Sequence, residues 1–87
     1  MLNEIKAGDI IRYGQNLHFS PCETGLVLSA DGAREEMEYG NWDQYDIEML
    51  SDDKIINCTL EKKGEAEEWQ VYWHNLWRNN DVCEVLR

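Results

Sequence analysis

An all-β fold, a small barrel or antiparallel meander, is what this 87-residue chain predicts. Three observations predict it. Turn-forming residues interrupt the chain about every 8–12 residues, the spacing of short strands in a barrel or sandwich. Tyr45, Ile47 and Met49 alternate with Gln44, Asp46 and Glu48, the period-2 pattern of a half-buried strand. Four Trp, four Tyr and one Phe supply bulk for a core. A domain of this size buries only about 60% of its unfolded surface, so a few aromatics burying roughly 150–250 Å² each matter to it.

The elements follow in chain order. Gly8-Asp9-Ile10-Ile11-Arg12-Tyr13 is β-prone after a Gly turn, and residues 14–24, with the one Pro, read as a loop. Gly25 to Ala30 is an apolar run. Asp31-Gly32 after it is a strong hairpin signal, because both turn positions of a tight hairpin favour positive φ. Glu35 to Tyr39 leads to a second turn at Gly40-Asn41. Trp42, Tyr45, Met49 and Leu50 would also group on a helix, but Ile47 would then lie on the polar side. Ser51-Asp52-Asp53 is a turn, Ile55 to Leu60 a strand closed by Lys63-Gly64, and Val82 to Leu86 a closing strand. The expected strands are 9–13, 25–30, 34–39, 43–50, 54–61 and 82–86, in a single domain spanning 1–87.

Residues 65–78 admit two readings. As a helix, Trp69, Tyr72, Trp73, Leu76 and Trp77 share a face, with acids at the start and Arg78 near the end. As a strand, Trp69, Val71 and Trp73 share a face in a β-rich run. The flanks bear on the choice. Lys6, Gly8, Asp9, Ile10, Ile11, Arg12 and Tyr13 open the chain, and Gly25 to Leu28 follow. Val71, Trp73 and Asn75 come later, then Glu84, Val85 and Leu86. In these segments, roughly the first 30 and last 20 residues, the chain resembles the small SH3-like β-barrel proteins of bacteriophages. The resemblance implies an SH3-like barrel and favours the strand at 65–78, with one short helix there as the alternative. Leu76 departs from it, standing where a turn Gly is expected. The middle of the chain is longer than the outline requires, an acidic hairpin elaboration inserted at about 31–68.

Charge singles out the same middle. The chain carries 18 acidic and 8 basic residues, a net charge of −10. Residues 1–30 have a net charge of −1, residues 69–87 are neutral, and residues 31–68 carry −9. Such a balance disfavours direct binding to nucleic acid or to an anionic membrane, which need cationic surface. It suits a protein partner with a basic surface; the plainer reading is a solvated face that keeps a small domain soluble.

Chemistry-bearing motifs are sparse. Phosphate-binding, dinucleotide, metalloprotease and nucleophile-elbow patterns are absent from the sequence. Cys22 with His18, or Cys58 with His74, would make a nucleophile and base without a supporting pattern. Three Cys and a His lack zinc-knuckle spacing, and Asp52-Asp53 with Glu67-Glu68 lack a calcium loop. Cys22, Cys58 and Cys83 are odd in number and the N-terminus has no apolar signal core, so reduced thiols in a cytoplasmic protein of a bacterial host are expected, without cofactor or metal. Tyr13, Phe19 and a Trp could line a groove for Pro-rich peptides, although the four Trp are expected chiefly in the core.

The expected function is therefore binding without catalysis. Glu36, Glu38, Asp46 and Glu48 are expected on one outward face of a hairpin, at roughly phosphate-like separation, where they would occupy a basic, nucleic-acid-binding surface of a host protein such as a defence-system component. Met37, Tyr39, Tyr45, Ile47 and Met49 would face the core. Trp42 and Trp77, nearest predicted turns, are candidate anchors. The alternative is a structural or accessory protein of a virion or assembly complex that docks through apolar and aromatic surface.

Overall fold

The computed structural model describes residues 4–19 and 21–87. Six strands follow one another as an antiparallel meander: β1 (Ile10–Gly14), β2 (Glu23–Met37), β3 (Gly40–Ser51), β4 (Lys54–Lys63), β5 (Trp69–Trp73) and β6 (Asp81–Leu86). β6 pairs back onto β1, from Ile10↔Leu86 to Gly14↔Val82, and closes the barrel. No helix occurs among the described residues. The 65–78 segment is strand over Trp69–Trp73, with Trp69 and Val71 buried and Trp73 half-buried on the inner face, as period 2 requires.

The inner faces make one hydrophobic core cluster. Ile11, Val27, Tyr45, Met49, Leu60, Val71, Cys58 and Cys83 are almost wholly buried. Tyr45 meets Trp69 edge-on at 5.5 Å between ring centroids, and Tyr13 meets Trp73 likewise at 5.1 Å. The polar tips of these rings are satisfied. Tyr45 Oη accepts from the backbone N–H of Glu4 (2.7 Å) and of Ile5 (3.2 Å), which seats Ile5 in the open end of the barrel. Tyr13 Oη lies 2.7 Å from Ser51 Oγ, which donates in turn to the Thr24 carbonyl.

Asp31-Gly32 is not a turn. β2 runs through it unbroken to Met37, so the strands expected at 25–30 and 34–39 are one strand of 15 residues. Neither residue has positive φ. Gly32 lies opposite Tyr45, and a Cβ there would come within 2.4 Å of the Tyr45 ring, so this glycine makes room for a core aromatic. The reversal falls at Glu38-Tyr39, two residues before the expected Gly40-Asn41; Gly40 follows it with φ +120°.

A β-bulge sets which way β2 faces. Val27 pairs with Met49 but Ser29 pairs with Glu48, so Leu28 is an extra residue. One extra residue exchanges the faces of everything downstream. Ala30, Gly32, Arg34 and Glu36 share the inner side with Ile47, Tyr45, Asp43 and Asn41, while Ser29, Asp31, Ala33, Glu35 and Met37 face outward. Met37, expected in the core, is therefore exposed, and Tyr39, also expected there, falls in the turn and is 90% exposed. Tyr45, Ile47 and Met49 are buried as expected. The Ser51-Asp52-Asp53 turn is present: Asp52 and Asp53, at φ 52° and 61°, form the two-residue loop between β3 and β4, and Asp tolerates that region better than most residues.

Candidate functional site

β2, β3 and β4 continue beyond the barrel wall as a three-stranded sheet. Its ladders reach Met37↔Gly40 and Trp42↔Lys63, and a Cβ on Gly40 would lie 3.0 Å from Gly64 Cα. The inner side of this extension is held by Arg34, which makes a two-point contact with the buried Asp43: Nε to Oδ1 at 2.7 Å and Nη2 to Oδ2 at 2.9 Å. Those hydrogen bonds hold the Asp43 carboxyl below the usual aspartate range, against the opposing effect of burial. Lys62, opposite Asp43 in the ladder, sits 4.7 Å over the Trp69 ring.

The outer side is different. Asp31 lies directly opposite Asp46, Ser29 opposite Glu48, and Glu35 opposite Trp42. β4 continues the same face with Asn57 beside Glu48, Thr59 beside Asp46, Glu61 beside Gln44 and Lys63 beside Trp42. Among the described residues Lys63 is the one Lys or Arg on this surface, and it contacts Glu61 at 3.4 Å. Among the described residues no salt bridge engages Asp31, Asp46 or Glu48. The arginines lie elsewhere, Arg12 on Glu84, Arg34 on Asp43, Arg78 on Asp81, and Arg87 on Asp9. Asp46 receives a hydrogen bond from Thr59 Oγ1 at 3.2 Å, and that hydroxyl lies 2.7 Å from His74 Nε2. Asp31, Asp46, Glu48, Asn57 and His74 line a hollow of about 510 Å³.

At the tip the same face turns apolar. Met37, Tyr39, Gly40, Trp42, Lys63 and Gly64 line a hollow of about 220 Å³. Trp42 is half-buried, with the Lys63 ammonium 5.1 Å from its ring centroid. Its indole N–H is buried and has no acceptor among the described residues. The outer face thus offers carboxylates along its length and an aromatic hollow at one end.

Asp46, Glu48 and Trp42 of the expected site lie together on this face. Glu36 does not: the bulge turns it to the side of Arg34 and Asp43. Glu38 sits in the turn beside Tyr39. Trp77 is fully exposed but lies at the other end of the barrel, in the 74–80 loop, where Phe19 of the loop after β1 is also exposed. Asp31, Glu35 and Glu61 complete the face and escaped the sequence reading. Asp31-Gly32 has the composition of a turn, and a bulge such as that at Leu28 leaves no residue-level signal. The sequence pair Cys58 and His74 is not brought together as nucleophile and base. The Cys58 thiol is in the core, pushed up to about 12 by burial with a smaller contribution from Asp46, while His74 bonds Thr59 on the outer face. His18, in the loop after β1, is exposed, and Cys22 contacts the Asn16 carbonyl through Sγ at 3.8 Å. No family, curated protein or solved structure matches this chain.

Proposed function

We propose that the outer face of β2, β3 and β4 binds a basic, nucleic-acid-binding surface of another protein, and that the chain acts as a small inhibitor or adaptor of that protein and not as an enzyme. The observation that carries this is the cross-strand pair Asp31 and Asp46, with Glu48 next to it and, among the described residues, no salt bridge to any of the three. Like charges directly opposite one another destabilise a sheet, so folding gains nothing from the pair, whereas a basic partner gains from all three. Successive outward residues on one strand lie about 6.6–6.8 Å apart, which spaces Asp46 and Glu48 for separate cationic groups. The apolar hollow at Met37, Tyr39 and Trp42 supplies what charge alone lacks, a desolvated anchor at the end of the charged surface. The likeness of the flanking segments to phage barrels supports a bacterial host protein, such as a defence-system component, as the target.

The test is a pull-down from bacterial lysate at low and high salt, with mass spectrometry of the eluate. A partner of this kind is retained at low salt and released as ionic strength rises. Asp46→Lys with Glu48→Lys abolishes retention, while the exposed pair Glu65→Lys with Glu67→Lys, of equal charge change, leaves most of it. One observation favours a second reading, a structural or accessory role in an assembly. Trp77 and Phe19 are large, exposed and at one end of the barrel. A partner held through them would stay bound at high salt and be lost with Trp77→Ser.

A further inference from the structure

The long strand β2 has two edges, and among the described residues only one is paired along its length. β1 pairs with Glu23 to Leu26, and the Val27 N–H donates to the Asp9 carbonyl. Beyond that point, among the described residues, β3 alone pairs with β2. The two-residue turn makes Met37 and Gly40 a hydrogen-bonded pair, and such pairs alternate along an antiparallel ladder. The N–H and C=O groups of Gly32, Arg34 and Glu36 therefore point away from β3, and none has a hydrogen-bond partner among the described residues. The outward side chains along this edge are Asp31, Ala33 and Glu35.

We infer that this edge takes up an extended segment of the partner as an added antiparallel strand, with basic side chains opposite Asp31 and Glu35. The inference rests on the reading of the outer face as a site for basic protein and gives the form in which that protein engages it. Charge complementarity chooses the occupant. A second copy of this chain, paired antiparallel about Ala33 with the faces kept, would set Asp31 against Glu35 twice, which like-charge repulsion opposes. A segment with Lys or Arg at positions four apart and a small residue between them would meet Asp31, Ala33 and Glu35 in register. The backbone groups supply affinity and the alternating side chains supply selection, as in other cases of strand addition. Asp46 and Glu48 then lie one strand further in on the same surface, within the field that such a segment enters.

The probe is a blocked peptide, Thr-Lys-Val-Thr-Val-Lys-Thr, titrated into the full chain at low salt, with amide exchange followed residue by residue by NMR. The free protein should show fast exchange at Gly32, Arg34 and Glu36 and slow exchange at Asp31, Ala33 and Glu35, which already bond β3. The peptide should slow the first set and leave the second unchanged. N-methylating its two valines, which face the edge, should weaken binding by about tenfold or more, while N-methylating the central threonine should not. Glu36→Pro, which removes an edge donor without touching the β3 ladder, should weaken the parent peptide while leaving the thermal midpoint near that of the parent protein. Binding without protection of Gly32 and Arg34, and without a penalty for methylated valines, would overturn the edge and leave the electrostatic reading standing. No binding of the peptide at low salt would overturn both. Slow exchange at Gly32 and Arg34 in a concentration-dependent dimer, without peptide, would overturn the inference in favour of a second copy.

Discussion

Two sets of carboxylates in this small barrel live under opposite conditions. Asp81 and Asp43 are buried and fully occupied. Asp81 accepts from Gln15 Nε2 at 3.0 Å and Trp73 Nε1 at 3.1 Å, and meets Arg78 at 2.8 Å; Asp43 holds Arg34 at two points. Arg78 also lies 5.4 Å from the Trp73 ring and 6.0 Å from that of Tyr13, so one cation joins the acid to the aromatic core. Asp31, Asp46 and Glu48 stand on the outer sheet and, among the described residues, have neither a guanidinium nor an ammonium in salt-bridge contact. The first set is part of what holds the fold together. The second contributes repulsion to the fold, and in the proposed function it is the set a basic partner engages. Acidity by itself therefore says little; whether a cation already occupies the carboxylate decides its role.

Mutations sharpen that contrast in a definite order. Asp81→Ala should be the most damaging, because it leaves the Trp73 indole N–H, the Gln15 amide and the Arg78 guanidinium without their shared acceptor. A loss of about 3 kcal/mol in denaturant unfolding is expected, and a loss below about 1 kcal/mol would show that water replaces the carboxylate without penalty.

Gly32→Ala comes next. It separates a packing glycine from a turn glycine. An added methyl would meet the Tyr45 ring, and overpacking of this kind costs about 2 kcal/mol. A turn glycine would instead show its cost through positive φ, which Gly32 lacks. If the variant is as stable as the parent and the Tyr45 ring environment is unmoved by NMR, the continuous β2 strand is wrong.

Arg34→Ala should cost less than either near neutral pH, because the arginine is partly exposed and its ion pair is screened. Its effect should be pH-dependent in a fixed direction. The Asp43 carboxyl is depressed in the folded protein, so its contribution is present above the unfolded value of about 4 and is lost as pH falls through the folded value. Without Arg34, burial outweighs the smaller lowering effect of Lys62 and raises that carboxyl. Acid unfolding of the variant should therefore begin at higher pH than in the parent, and coincident acid transitions would remove Arg34 as the cause.

Much of the barrel was legible because its signals are local. The alternation of Tyr45, Ile47 and Met49, the paired aspartates at 52 and 53, and the Lys63-Gly64 stop each act within a few residues of where they sit. What failed depends on distant partners. Asp31-Gly32 has the composition of a tight turn, and only Tyr45, across the ladder, explains why the chain runs straight through it. Met37 and Tyr39 continue an apolar alternation into a region beyond the barrel wall, where no core remains to receive them. The site was half legible for the same reason. Asp46 and Glu48 lie on a strand whose phase the sequence reports, but Glu36 lies downstream of the Leu28 bulge, and one inserted residue moves it to the opposite face.

The most direct measurement compares two neutralising triples that change net charge equally. Asp31→Asn with Asp46→Asn and Glu48→Gln removes the unoccupied carboxylates of the outer face. Glu65→Gln with Glu67→Gln and Glu68→Gln removes three exposed acids from the β4–β5 connection. Stability and affinity for a lysine-rich peptide are measured for each across a range of salt concentrations. The face triple should be as stable as the parent or more stable, by up to about 1 kcal/mol as the Asp31–Asp46 repulsion is relieved, while its affinity falls and its salt dependence flattens. The control triple should keep most of both. Equal loss of affinity in the two triples would contradict the account, since net charge alone would then explain binding and the outer face would have no special part in it.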